Sequence, residues 1–211
     1  LGGSSSINGL IYIRGQAADY DRWSPWLDPY LPVRYGVPPE KAEGLSDEAW
    51  LATLNGKGRC KAELQRELGL PARPRTPLFA TISRLTDQKG IDLLLEILPW
   101  LMTQPLRLVV LGNGDPHYTE LLLGCARRHP DRLAVVAGYD EPLAHQIEAG
   151  ADLFVMPSRF EPCGLNQLYS LRYGTLPLVR RVGGLADTVI DADAATEGNG
   201  FCFDFASGPA L

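Results

Sequence analysis

Two cations stand five residues apart in the run Ser83-Arg84-Leu85-Thr86-Asp87-Gln88-Lys89-Gly90, just after an apolar stretch and just before an amphipathic one. A guanidinium can grip phosphate oxygens with a two-pronged fork, and an ammonium adds a compact point charge, so the pair suits a pyrophosphate. A helix that starts behind Gly90 would add its dipole. Alone, such a loop is most often solvated surface. Further on, Gly112-Asn113-Gly114 puts small residues where a ligand could approach the backbone. Gly138-Tyr139-Asp140-Glu141 sets an aromatic face after a third apolar run, and Tyr139 can stack a nucleobase or pack locally as a rim residue.

The densest run of chemistry is Pro157-Ser158-Arg159-Phe160-Glu161-Pro162-Cys163-Gly164-Leu165-Asn166-Gln167. Glu161 hangs beyond an apolar run, and Cys163 to Gln167 would present free backbone N–H groups at a helix start, which is an anion site. A carboxylate beside a phosphate cradle suits a ligand that carries both a diphosphate and a polyhydroxylated group, as a nucleotide-sugar does. The plainer reading is that Glu161 caps the helix that follows.

These loops need elements to hold them. Runs at Leu78 to Ser83, Leu106 to Leu111, Leu133 to Ala137, Leu153 to Pro157 and Leu176 to Arg180 read as strands, with a short sixth at Phe201 to Phe203. Between them, Ile91 to Met102, His117 to Arg128, Pro142 to Ala149, Leu165 to Tyr173 and Leu185 to Ile190 read as helices. The strands are apolar almost throughout, which predicts an α/β class: a Rossmann-like parallel sheet with helices on both faces. In such a sheet ligands bind beyond the carboxyl ends of the strands, where all the residues above fall. Asp115-Pro116 predicts a helix cap and Gly174 a helix end. Lys57 to Leu68 reads as a helix leading into the sheet, and 23–56, with little periodicity and the Pro38-Pro39 pair, as an irregular linker.

Composition narrows the classes. Of 211 residues, 45% are apolar, enough for a buried core. Twenty basic residues against 25 acidic leave a net charge of -5, so no general field favours nucleic acid or an anionic membrane. The longest apolar stretch, Ile91 to Met102, is broken by Asp92, Glu96 and Pro99 and is too short to cross a bilayer. Cys60, Cys125, Cys163 and Cys202 are widely spaced, which predicts no metal site and suits a reducing cytoplasm. The opening at Leu1, with no leader, reads as a fragment.

Three runs together resemble the carboxyl-terminal domain of bacterial and plastid glycogen (starch) synthases: Arg84-Leu85-Thr86-x-Gln88-Lys89-Gly90, Ser158 to Leu165, and Tyr173-Gly174-Thr175-Leu176-Pro177-Leu178-Val179-Arg180-Arg181-x-Gly183-Gly184-Leu185. The resemblance implies one carboxyl-terminal half, about 57–211 and truncated at its end, of a two-domain GT-B glycosyltransferase that moves glucose from ADP-glucose to an α-1,4-glucan with retention and without a metal. It implies catalytic roles for Glu161, at the donor glucose, and for Arg84 and Lys89, at the diphosphate. Tyr139 falls where the family stacks the adenine. The amides near Gly164 and Leu165 would meet the distal phosphate, with Cys163 beside them among the substrate-binding residues; Asn166 stands where a threonine is expected; Gly183 and Gly184 form a close turn near the ligand.

The first 22 residues, with Gly2-Gly3-Ser4-Ser5-Ser6-Ile7-Asn8, instead resemble a loop of the glucose-methanol-choline flavin oxidoreductases, and Asp19 to Trp23 reads as the join of a chimera. No Gly-rich dinucleotide turn precedes them, so no FAD site and no cofactor is expected. Without a facing domain, which another chain could supply, the expectation is donor binding that is weak at best and no glucan synthesis by this chain alone. The alternatives are a fragment of a flavin oxidoreductase and a non-catalytic α/β scaffold.

Overall fold

The computed structural model of the chain describes residues 47–194 and 198–211. The flavin-oxidoreductase-like segment 1–22, and the linker up to residue 46, lie outside the described residues. Helix α1, Asp47–Glu67, starts ten residues before the expected helix at Lys57 and runs through Gly56 and Gly58. The two glycines read locally as breakers, but tertiary anchoring outweighs propensity. Lys61, 7% exposed at its side chain, pairs with Asp152 at 2.6 Å, and the same carboxylate oxygen accepts from Leu78 N at 2.7 Å. Lys57 Nζ donates to Ala149 O at 3.1 Å, Tyr173 O at 3.3 Å and Thr175 Oγ1 at 2.6 Å.

From there strands and helices alternate: β1 Leu78–Ile82, a 3-10 turn at Asp87–Lys89, α2 Ile91–Leu101, β2 Arg107–Gly112, α3 Pro116–Arg128, β3 Leu133–Ala137, α4 Glu141–Gly150 and β4 Leu153–Met156. Then follow α5 Asn166–Arg172, β5 Leu176–Arg180, α6 Gly183–Thr188, β6 Phe201–Phe203 and a final 3-10 turn, Gly208–Ala210. Every expected strand and helix of the sheet region is present to within two residues. The caps hold as read: Asp115 accepts from His117 N at 2.8 Å, and Gly174, at φ +68°, follows the last turn of α5. Asp140 caps α4 through Leu143 N at 2.9 Å.

The sheet is parallel throughout, in the order β3-β2-β1-β4-β5-β6. Alternate residues of β2 point into different cores. Val109 and Leu111 join Leu64, Phe154, Ile147 and Leu185 on the face of α1, α4 and α6. Leu108 and Val110 join Leu94, Leu98, Leu122 and Cys125 on the face of α2 and α3. A strand buried on both sides cannot alternate polar with apolar, which is why these strands read as continuous apolar runs.

The order reverses between β1 and β4. The chain leaves β1 for the face of α2 and leaves β4 for the opposite face, where α5 packs against α4. The two departing loops open a crevice between them, the position that binds ligands in open α/β sheets. Only Phe79 with Leu153 and Ala80 with Phe154 pair across this junction, so the ends of the two strands are free to part.

Candidate functional site

At the carboxyl ends of β1 and β4 lies an open cleft, lined among others by Ser83, Lys89, Ser158, Glu161, Gly164, Leu165 and Asn166. The two motifs meet here although Lys89 and Glu161 are 72 residues apart in the chain. The Lys89 ammonium donates to Glu161 Oε2, and the side chains are 20% and 9% exposed. Ser158 Oγ donates to the same oxygen at 3.2 Å from a residue only 2% exposed. The carboxylate thus does not cap the following helix; it faces the cation of the opposite loop.

The loops themselves are tied together. Arg159 N donates to Gln88 O at 2.8 Å, and Gln88 Nε2 donates to Phe160 O at 3.3 Å. Arg84 Nη2 donates to Gln88 Oε1 at 3.0 Å and is otherwise exposed at the rim, outside the cleft lining. Asn166 Nδ2 reaches across the crevice to Ile82 O at 3.0 Å, so the side chain standing in the threonine's place joins the start of α5 to the end of β1. Leu168 N at the start of α5 donates to Leu165 O at 2.9 Å, the amides of Asn166 and Gln167 before it have no intrahelical acceptor, and Gly164 and Leu165 bring that end of the helix to the cleft.

The glycines turn out to serve backbone packing. A β-carbon at Gly183 would lie 2.0 Å from Glu161 O, and one at Gly184 would lie 2.1 Å from Cys163 O. Gly184 N donates to Glu161 O at 3.1 Å. The Gly183-Gly184 turn therefore supports the back of the Glu161 loop, because that backbone occupies the space a ligand would need. The same holds for Gly112 and Gly114: β-carbons there would meet Ser83 O at 1.9 Å and Leu85 O at 2.4 Å. What approaches that backbone is the neighbouring loop, joined by Leu85 N to Asn113 O at 2.8 Å. Cys163 is half-buried and outside the cleft lining.

Tyr139 stands just beyond β3, 82% exposed, two strands to the side of β1. It shares the strand-end rim with the cleft without lining it. Sequence reasoning passed over Ser158, which holds the carboxylate, and Arg180, which ends β5 and whose Nη1 donates to Arg159 O at 3.0 Å and Ser158 O at 3.4 Å. Both stand directly after or at the end of an apolar strand, but their partners follow from strand order. Among the described residues no group of three or more His, Cys, Asp and Glu side chains is placed to hold a metal, and no helix is long and apolar enough to cross a membrane.

Comparisons with known proteins agree with this geometry. Residues 65–210 match the family described as glycosyl transferases group 1. The glycogen synthase of Anaeromyxobacter dehalogenans is 49% identical over 208 residues, covering 95% of this chain and 41% of that protein. The glycogen synthase of Anaeromyxobacter sp. is 54% identical over 185 residues, covering 88% and 36%. Among solved structures, the catalytic domain of starch synthase IV from Arabidopsis thaliana bound to ADP and acarbose aligns at a TM-score of 0.74 and 35% identity, over 91% of this chain and 38% of that one. The chain spans about two-fifths of the length of the curated relatives it matches, and its six-stranded parallel sheet is half of a GT-B glycosyltransferase fold. With the match running through every strand and through both walls of the cleft, the chain belongs to the glycosyl transferases group 1 family.

Proposed function

We propose that this chain is the donor-binding half of a retaining glucosyltransferase that takes glucose from ADP-glucose and adds it to an α-1,4-glucan. The observation that carries the reading is the meeting of Lys89 and Glu161 in one cleft at the β1/β4 switch point, beside the start of α5. The glycogen synthase relatives and the starch synthase bound to ADP and acarbose support the choice of donor and acceptor.

In this reading the diphosphate lies between the β1 loop and the amides at Gly164 and Leu165, with Arg84 closing over it from the rim. When the bond from the sugar to the diphosphate breaks, negative charge builds on the departing phosphate. Fixed cations and helix amides already aimed at that point stabilise it without reorganising, usually the largest electrostatic contribution to such a barrier. Glu161 accepts from the sugar's hydroxyl groups and favours positive charge on the anomeric carbon. Tyr139 offers its ring to the adenine. Acceptor glucan and a facing domain complete the reaction, since positioning and exclusion of water need both walls. The setting we infer is the cytoplasm, where nucleotide-sugar donors are made.

Calorimetric titration of ADP and ADP-glucose into the 211-residue chain tests the site. Arg84 is exposed, so Arg84→Ala should leave the unfolding midpoint in place while ADP affinity falls about tenfold, as for loss of one charge-assisted phosphate contact. Equal affinity for the two proteins would remove Arg84 from the site, and absence of binding would remove the donor site altogether.

A further inference from the structure

In the free chain the lysine that would meet the donor phosphate is already engaged. Lys89 donates to Glu161 Oε2, and among the described residues the only other donor to that carboxylate is the neutral Ser158 hydroxyl, at 3.2 Å. The carboxylate is the less mobile partner, on a two-carbon stem. Its backbone is held by Gly184 N at 3.1 Å and backed by Gly183, with no room for even a β-carbon between them. Lys89 is held at its backbone too, donating from N to Thr86 O at 3.0 Å, but its four-carbon stem can swing.

Resting on the donor-site reading above, we propose that the Lys89–Glu161 pair is a partner-exchange device that separates the sugar-bearing donor from the bare nucleoside diphosphate. A diphosphate entering the cleft takes Lys89, because the group as a whole carries at least two negative charges against the carboxylate's one. Glu161, 7% exposed, then keeps one neutral donor. An ionised carboxylate left buried and nearly unpaired is costly, so it must find hydrogen-bond donors or take a proton from water. The sugar of a nucleotide-sugar supplies hydroxyl donors, and the carboxylate stays ionised. A bare diphosphate supplies none, and Glu161 takes up a proton. Among the described residues no other cation donates to it: Asn166 and Gln167 at α5 are neutral, α6 brings only Gly183 and Gly184, Arg159 is paired with Asp92, and Arg180 from β5 donates to the Ser158 and Arg159 carbonyls. After transfer, loss of the sugar would leave Glu161 to take up that proton, at a cost that weakens the hold on the product.

The test is calorimetry of the 211-residue chain at pH 6.5 in two buffers of different ionisation enthalpy, Pipes and imidazole, with ADP, ADP-glucose and AMP. The same titrations on Glu161→Gln subtract any proton change on the ligand's own phosphate. ADP is expected to take up about half a proton or more relative to the variant, and ADP-glucose and AMP close to none. Without the competing carboxylate, Glu161→Gln should bind ADP about five- to tenfold tighter while ADP-glucose gains nothing. ADP heats that differ between buffers no more in the wild type than in the variant, or weaker ADP binding by the variant, would overturn the exchange while leaving the donor site standing. No heat from ADP or ADP-glucose with the wild type would overturn the donor-site reading, and the exchange with it.

Discussion

Replacing Gly183 with alanine should damage the candidate site from behind. The residue sits at φ +49°, in the left-handed region, and its β-carbon would come within 2.0 Å of Glu161 O. The backbone conformation alone costs an alanine roughly 1–2 kcal/mol. Real contacts of that kind are not closer than about 3 Å, so the turn and the Glu161 loop must part by about 1 Å, at a further cost of roughly 1–3 kcal/mol. The bond from Gly184 N to Glu161 O would weaken as they part. Gly174 provides the comparison, since it has a similar φ of +68° with nothing within 4 Å of its β-carbon. Gly174→Ala should therefore show only the backbone cost and Gly183→Ala should be about 2 kcal/mol less stable in urea denaturation. The functional readout is ADP-glucose affinity, which should fall in Gly183→Ala and hold in Gly174→Ala, because only the first displaces Glu161. Equal urea midpoints with unchanged donor affinity would refute the claim that this turn positions the carboxylate.

Lys57 gives a pH signature. Burial pushes its ammonium down from the ordinary 10.5 to about 8, against the raising pull of Asp152 and Cys60. Between those values the unfolded chain holds a proton that the folded chain has released, so stability should rise with pH, flat below 8 and complete above 10.5, by about 3 kcal/mol in all. The check is the stability of wild type minus that of Lys57→Met across pH 7 to 11; a flat or falling difference would contradict the burial. Asn166→Asp removes the bond to Ile82 O and puts a carboxylate at the anion end of α5, so it should lower stability by about 1 kcal/mol and weaken ADP more than AMP, measured by thermal melts and calorimetry. Tyr139→Ala should leave stability unchanged, since the ring is 82% exposed, and weaken ADP by roughly 1–3 kcal/mol if the ring stacks the base, read as quenching of a fluorescent ADP analogue.

Much of the fold was legible in the residues because its signals are local. Apolar runs as short as Leu153–Met156, and caps such as Asp115 with Pro116, depend on neighbours a few positions away. The run Ser158 to Leu165 announced a site for the same reason, since a loop's charged and small residues are written consecutively. Distance along the chain hid the rest. Gly112 and Gly114 read as an opening for a ligand, and only the pairing of β1 with β2 shows that Ser83 to Leu85 fills that space. Helix α1 reaches back past Gly56 and Gly58, with Lys57 and Lys61 anchored to groups about 90 to 118 residues away that no local propensity records. The pairing of Lys89 with Glu161, and of Arg180 with the Ser158 loop, follows from a strand order that sets β1 beside β4 and β4 beside β5. Residue types and their periodicity determined which groups could act on a diphosphate and a sugar; the switch point in the sheet decided which of them face each other, because there the loops after β1 and β4 leave neighbouring strands toward opposite faces and open a crevice between them.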